Sequence, residues 1–161
     1  MSSYRIREGR MPEDEAIGLA FIMGLQVFEH AMEPDRRVDP AAASDFLPVL
    51  ASRVAEKQGR IFIAEDESGA AIGWTVCFVD ENEVYVVEEQ RRFGYVSELF
   101  VVESARGRGI GRALIAKCED YFRSLNLRVM LIGVLSGNAN ARRSYLAAGF
   151  RPYSEMLRKP L

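Results

Sequence analysis

Little in this chain could serve redox or metal chemistry. Its 161 residues include two cysteines, one histidine and one tryptophan. Cys77 and Cys118 stand 41 positions apart, in apolar segments and with no CxxC spacing, so they read as reduced core thiols. His30 has no second histidine to share a metal with and reads as a surface or helix-end residue. No metal is expected. Neither sign of charge dominates: the formal net charge is -2, which argues against a chain whose main task is binding nucleic acid. No apolar run approaches the roughly 20 residues that span a bilayer, so no membrane partner is expected. The first ten residues carry charges without the apolar stretch of a secretory signal, and the expected compartment is the cytoplasm. Repeats, low-complexity tracts and linker-like stretches are also missing.

What is present is the composition of a soluble globular chain, 48% hydrophobic and 27% charged. The length fits one domain spanning residues 1–161. Tyr4 to Arg7 alternates like an edge strand. Pro12, followed by Glu13, Asp14 and Glu15, marks a helix start, and Ile17, Phe21, Leu25, Phe28 and Met32 continue it at helical spacing. A loop over 33–40 precedes a second helix over 41–56, which Gly59 closes. Strands over 60–65 and 71–79 form a hairpin. A short strand over 84–87 and a stronger one over 95–102 follow. A helix over 109–125 then leads to a nearly all-apolar strand over 128–134, as expected of a strand covered on both faces. A loop enters a helix that Gly149 caps, and 150–158 reads as a closing strand. Trp74 reads as packing. The order describes one mixed α/β domain.

The chemistry concentrates in Arg106-Gly107-Arg108-Gly109-Ile110-Gly111-Arg112. Glycines at three alternate positions permit positive φ and leave the backbone open. The helix that follows contributes unpaired N–H groups and a positive dipole end. Together with three arginines these form a socket for a diphosphate. The last glycine of a Rossmann fingerprint is misplaced here, and the turn falls after residue 100 rather than after a first strand. The Gly-Lys-Ser/Thr of a P-loop is absent. The basic run also lacks the interleaved aromatics of a single-strand RNA binder.

The pattern Arg106-x-x-Gly109-x-Gly111, after a strand ending Leu99-Phe100-Val101, resembles the pyrophosphate-binding motif of the GNAT superfamily of N-acetyltransferases. Asn138-x-x-Ala141-x-x-x-Tyr145, followed by Gly149-Phe150, is similar to that family's C-terminal motif. The resemblance in element order covers the whole chain, and the motifs cover about residues 97 to 150. It implies a central, mostly antiparallel twisted sheet of six to seven strands flanked by about four helices. It also implies acetyl-CoA as co-substrate, and a homodimer as a family-level expectation.

By the same resemblance, the strand before the turn splays from its neighbour and takes the cofactor's pantetheine arm along Leu99, Phe100, Val101 and Val102. The pyrophosphate falls to Arg106, Gly107, Arg108, Gly109, Ile110, Gly111 and Arg112. Asn138, Ala141 and Tyr145 complete the cofactor side. An alkyl ammonium of pKa near 10.4 is neutral in only about 0.04% of molecules at pH 7, so a base, a water or desolvation must supply the free amine. A phenol stays protonated at neutral pH, and Tyr145 suits the general acid that meets the leaving thiolate. Glu98, a carboxylate in an otherwise apolar strand, is the candidate base. It could instead serve a structural ion pair or loop hydrogen bond, or orient the amine. No cysteine lies in either motif, which points to direct attack in a ternary complex. The acceptor is a small-molecule or peptide amine. Two acidic stretches, Glu29, Glu33, Asp35 and Asp39, and Glu81, Glu83, Glu88 and Glu89, could draw a cationic one. A non-catalytic acyl-CoA-binding module and a transferase of another acyl group are the alternatives.

Overall fold

The computed structural model describes residues 3–161. Strand β1 (Tyr4–Gly9) leads into helices α1 (Glu15–His30) and α2 (Ala42–Glu56). Strands β2 (Arg60–Asp66) and β3 (Ala71–Glu81) precede a single-turn helix, α3 (Glu88–Arg91), and strand β4 (Arg92–Val101). A 3-10 turn over Glu103–Ala105 leads to helix α4 (Ile110–Ser124), strand β5 (Met130–Ile132) and helix α5 (Ala139–Ala147). The strands lie in the order β1-β2-β3-β4-β5. The first three pairings are antiparallel and the last is parallel.

Helices cover both faces of this sheet. On one face Phe21 and Ile22 of α1, with Leu47 and Leu50 of α2, pack on Ile61, Ile63, Trp74 and Val76. On the other, Ile110, Leu114, Cys118 and Phe122 of α4 pack on Ala64, Ile72, Cys77 and Val96. Strand β3 sits between these layers, buried from Ile72 to Val79, which accounts for its unbroken apolar run. Both cysteines are free thiols within the second layer. Gly24 lets α1 approach the sheet: a Cβ there would sit 2.6 Å from Phe100 Cζ.

A charged network pins the edge of the sheet to α1. The Arg7 guanidinium reaches both oxygens of Asp14 at 2.7 and 2.9 Å, and its Nε donates to Glu65 at 2.6 Å. Arg5 holds the other oxygen of Glu65 at 2.9 Å. These arginines hold both carboxyls below their usual range against the opposing effect of burial.

The sheet has five strands among the described residues, not six or seven, and five helices rather than about four. Residues 84–87 form a turn, not a strand. The apolar segment over 128–134 pairs only at Met130–Ile132. The closing strand expected over 150–158 is not found: residues 150–161 form no ladder with any strand. Alternation provides a face to bury, but a strand exists only where a neighbour offers its backbone.

Candidate active site

The site grows from a fork. Strands β4 and β5 pair at Gly94–Met130, Tyr95–Leu131 and Val96–Ile132, and there β5 ends. Strand β4 runs on through Val101 with its β5 side uncovered.

A β-bulge at Ser97 sets what lines the fork. In the β3–β4 ladder Cys77 faces Val96 while Val76 faces Glu98, leaving Ser97 as the extra residue. Before the bulge the Gly94 N–H points toward β5, donating to Val129 O at 2.9 Å. After it the Val102 N–H points to β3, donating to Ile72 O at 3.0 Å. By alternation, the backbone groups of Leu99 and Val101 face the open side of the fork. The same extra residue re-aims side chains. Tyr95, Ser97 and Glu98 all line the cavity on the α1 side, while Val96, Leu99 and Val101 pack toward α4.

That cavity has a volume of about 810 Å³, within the range of small-molecule sites. Glu98 is only 7% exposed in it. The one hydrogen bond to its carboxylate among the described residues comes from the Ser97 hydroxyl at 3.4 Å. Burial first, then the nearby Glu29 carboxylate, push its pKa up to about 7. The carboxyl is therefore poised between its two forms at neutral pH, where a general base works best.

Beyond β4 the chain turns through Gly107 and Gly109, with φ of 75° and 78°. These are left-handed conformations that any side chain would strain. Helix α4 starts at Ile110, and its first closing bond runs from the Ala113 N–H to Gly109 O. The N–H groups of Ile110, Gly111 and Arg112 thus precede any helical acceptor and point out of the helix end. Arg106 braces the turn. Its Nε donates to Val101 O at 3.0 Å, and its guanidinium lies 4.8 Å over the Phe28 ring and 5.9 Å from that of Phe100.

On the far side of the fork Asn138 caps α5, its side chain accepting from the Ala141 N–H at 3.1 Å. Gly149 ends the helix region at φ 95°. The Phe150 N–H returns to Tyr145 O, and the two rings meet at 6.0 Å. The Asn, Tyr and Gly-Phe spacing therefore records one capped helix that fixes the tyrosine ring. Burial, then Glu29, push the Tyr145 phenol up to about 12, which keeps its proton in place. Tyr145 does not line the cavity that holds Glu98, but both groups feel the same Glu29 carboxylate.

The two acidic stretches part company. Glu29, Asp35 and Asp45 line the cavity with Arg36 and Arg37. Glu81 and Glu88 instead hold Arg91, away from it. His30 serves the loop after α1, its Nδ1 2.7 Å from Arg36 O. Tyr95, Ser97, Asp45 and the two arginines carry no motif in the sequence, and only the bulge and the loop path bring them to the site. No helix among the described residues is long and apolar enough to cross a membrane.

A forked sheet whose uncovered strand runs into a left-handed glycine turn at a helix N-terminus sets an open strand edge beside unpaired N–H groups, and comparison with known proteins places the chain in one family. The model of the Acetyltransferase (GNAT) family matches residues 25–150, and the chain belongs to that family. An uncharacterised N-acetyltransferase of Archaeoglobus fulgidus is 32% identical over 96 residues, which make up 60% of this chain and 62% of that protein. The chain thus spans under two thirds of that relative's length. A Bacillus halodurans protein superposes with a TM-score of 0.79 at 22% identity, over 98% of this chain and 99% of its own. An aminoglycoside N-acetyltransferase in complex with CoA superposes with a TM-score of 0.70 at 20% identity, over 100% and 96% of the two chains. The structural likenesses establish a shared fold.

Proposed function

We propose that this chain is an acetyl-CoA-dependent N-acetyltransferase that acts on a primary amine by direct attack in a ternary complex. One observation carries the reading. The single strand β4 brings a fork with free backbone groups, a carboxyl of pKa about 7, and an anion-binding turn into one line. The Leu99 backbone and the Val101 N–H would hold the pantetheine arm, the Val101 carbonyl already accepting from Arg106, and the N–H groups of the turn and first α4 residues would hold its pyrophosphate. Arg106 would hold the turn in shape. The side-chain oxygen of Asn138 accepts from its own helix, and its amide NH2 is the donor it would offer the cofactor.

The bound thioester supplies an acyl carbon open to attack. Glu98, when ionised, takes a proton from the acceptor ammonium and leaves the amine neutral. The nitrogen bonds to the acyl carbon, the carbon–sulfur bond breaks and the Tyr145 hydroxyl gives its proton to the departing sulfur, while the second proton that the nitrogen sheds on becoming an amide restores the phenol, directly or through solvent. Cys77 and Cys118 are both fully buried in the core, which argues against an acyl-cysteine carrier. Held geometry supplies the remaining acceleration.

Free thiol release from acetyl-CoA in the presence of a panel of primary amines tests the proposal. Release above the no-acceptor background is expected. Tight acetyl-CoA binding with no release from any amine would instead identify a binding module. Gly109→Asp puts a side chain on a left-handed residue and a negative charge beside the diphosphate, and should weaken acetyl-CoA binding at least about tenfold. Unaltered affinity in calorimetry would remove the turn from the site.

A further inference from the structure

Asp35, at the rim of the cavity, is paired with a cation from the chain itself. Residues 151–161 run without a ladder partner, but Arg158 ties them down. Its Nη1 lies 2.8 Å from Asp35 Oδ2 and 3.6 Å from Glu33 Oε2, across 123 positions of sequence to Asp35. Met156 lines the same cavity. With Arg158 lifted away, Glu29, Glu33 and Asp35 have one neighbouring guanidinium between them, that of Arg36, which pairs with Glu29 and Asp35 at 2.9 Å each. Asp45, which also lines the cavity, shares Arg37 with Asp39. The rim therefore offers more negative charge than its fixed cations neutralise. A second carboxyl lies deeper. Glu98 is more than nine-tenths buried, lines the cavity, and makes no ion pair among the described residues.

We infer that Glu33 and Asp35 select acceptors bearing a second cationic group, an alkyl diamine or polyamine. One amine reaches Glu98 while another takes the position that Arg158 fills. This rests on the cavity being the acceptor site. The exchange replaces one cation by another, so the rim carboxylates keep a partner throughout. The side chain of Arg158 is 66% exposed and returns to water with little desolvation to undo. Its tether makes it a weak built-in competitor.

The test compares butylamine, 1,4-diaminobutane and spermidine as acceptors of the intact chain. The diamine should exceed the monoamine in kcat/KM by about tenfold, the scale of a hydrogen bond to a charged group. In the double variant Glu33→Gln, Asp35→Asn that ratio should collapse toward one, through KM rather than kcat. Arg158→Ala should lower the diamine KM roughly threefold, the scale of an exposed ion pair, and more than it lowers the monoamine KM. A ratio near one in the wild type, or an unchanged ratio in the double variant, overturns the inference. If no amine is acetylated, the transferase reading falls, and calorimetric binding of 1,4-diaminobutane against butylamine decides the cation site by itself. A diamine preference that the double variant abolishes supports it, and equal affinities overturn it.

Discussion

Replacing Glu98 by glutamine separates a poised catalytic carboxyl from a structural one, because the two roles require opposite changes in stability. Burial lifts this carboxyl from an ordinary 4.5 to about 7. At 1.36 kcal/mol per pKa unit, keeping it ionised inside the fold costs about 3 kcal/mol. The folded chain binds the proton more tightly than the unfolded one. Its contribution is therefore most favourable below pH 4.5 and is lost as the pH rises through 7. Glutamine is neutral throughout. Glu98→Gln should thus be more stable than the wild type by up to about 3 kcal/mol at pH 8.5, and the two should converge near pH 4.5. The urea midpoint at pH 8.5 should rise by about 1 M or more. Thiol release should fall by about 10²- to 10⁴-fold, and the rise of rate with pH through 7 should vanish. A variant less stable than the wild type at pH 8.5 would refute this reasoning, because it would mean that an ion pair had been broken. A surviving pH limb near 7 would refute it equally.

Three further outcomes follow from groups described above. Tyr145→Phe keeps the ring contact with Phe150 and removes only the proton donor, so kcat should fall by about 10²-fold or more with acetyl-CoA affinity unchanged. Equal kcat would free Tyr145 of the acid role. Arg7→Ala leaves Asp14 and Glu65, both under 10% exposed, short of their main partner, and should destabilise the fold by about 2–3 kcal/mol in urea titrations, discounted for the part-exposed arginine. Because those two carboxyls lie below their usual range, their contribution is present above about pH 4.5 and is lost as the pH falls through their depressed values. Arg7→Ala and the wild type should accordingly converge in stability only in acid.

Local signals carried much of this molecule into its sequence. The left-handed glycines, the helix they open, and the Gly149 terminus are devices of a few adjacent residues, and each occurs where the sequence places it, whereas Asn138, read there as a cofactor ligand, is seen to cap α5. Strands were less legible. Residues 150–158 read as a closing strand, and 128–134 have a strand's apolar run, yet pairing is decided by a distant backbone. Strand β5 stops at Ile132 because β4 diverges there, and nothing in 133–134 says so. The cavity beside Glu98 was legible only in part. Glu29 and Asp35 stood out as a charge cluster, but Asp45 and Tyr95 reach the same space through the path of the chain.

Ser97 divides β4 into two reading frames. Upstream, even-numbered side chains pack under α4, and downstream the odd-numbered ones do. A point substitution at Ser97 leaves that frame untouched. Deleting the residue would restore plain alternation with Glu98 still toward the cavity and Leu99 under α4, whereas pairing Ser97 without the bulge would turn Glu98 under α4 and swing Leu99 toward the cavity. The chemistry of this strand depends on a count of residues as much as on their identity. Homologous strands should accordingly be aligned by frame before their carboxylates are compared.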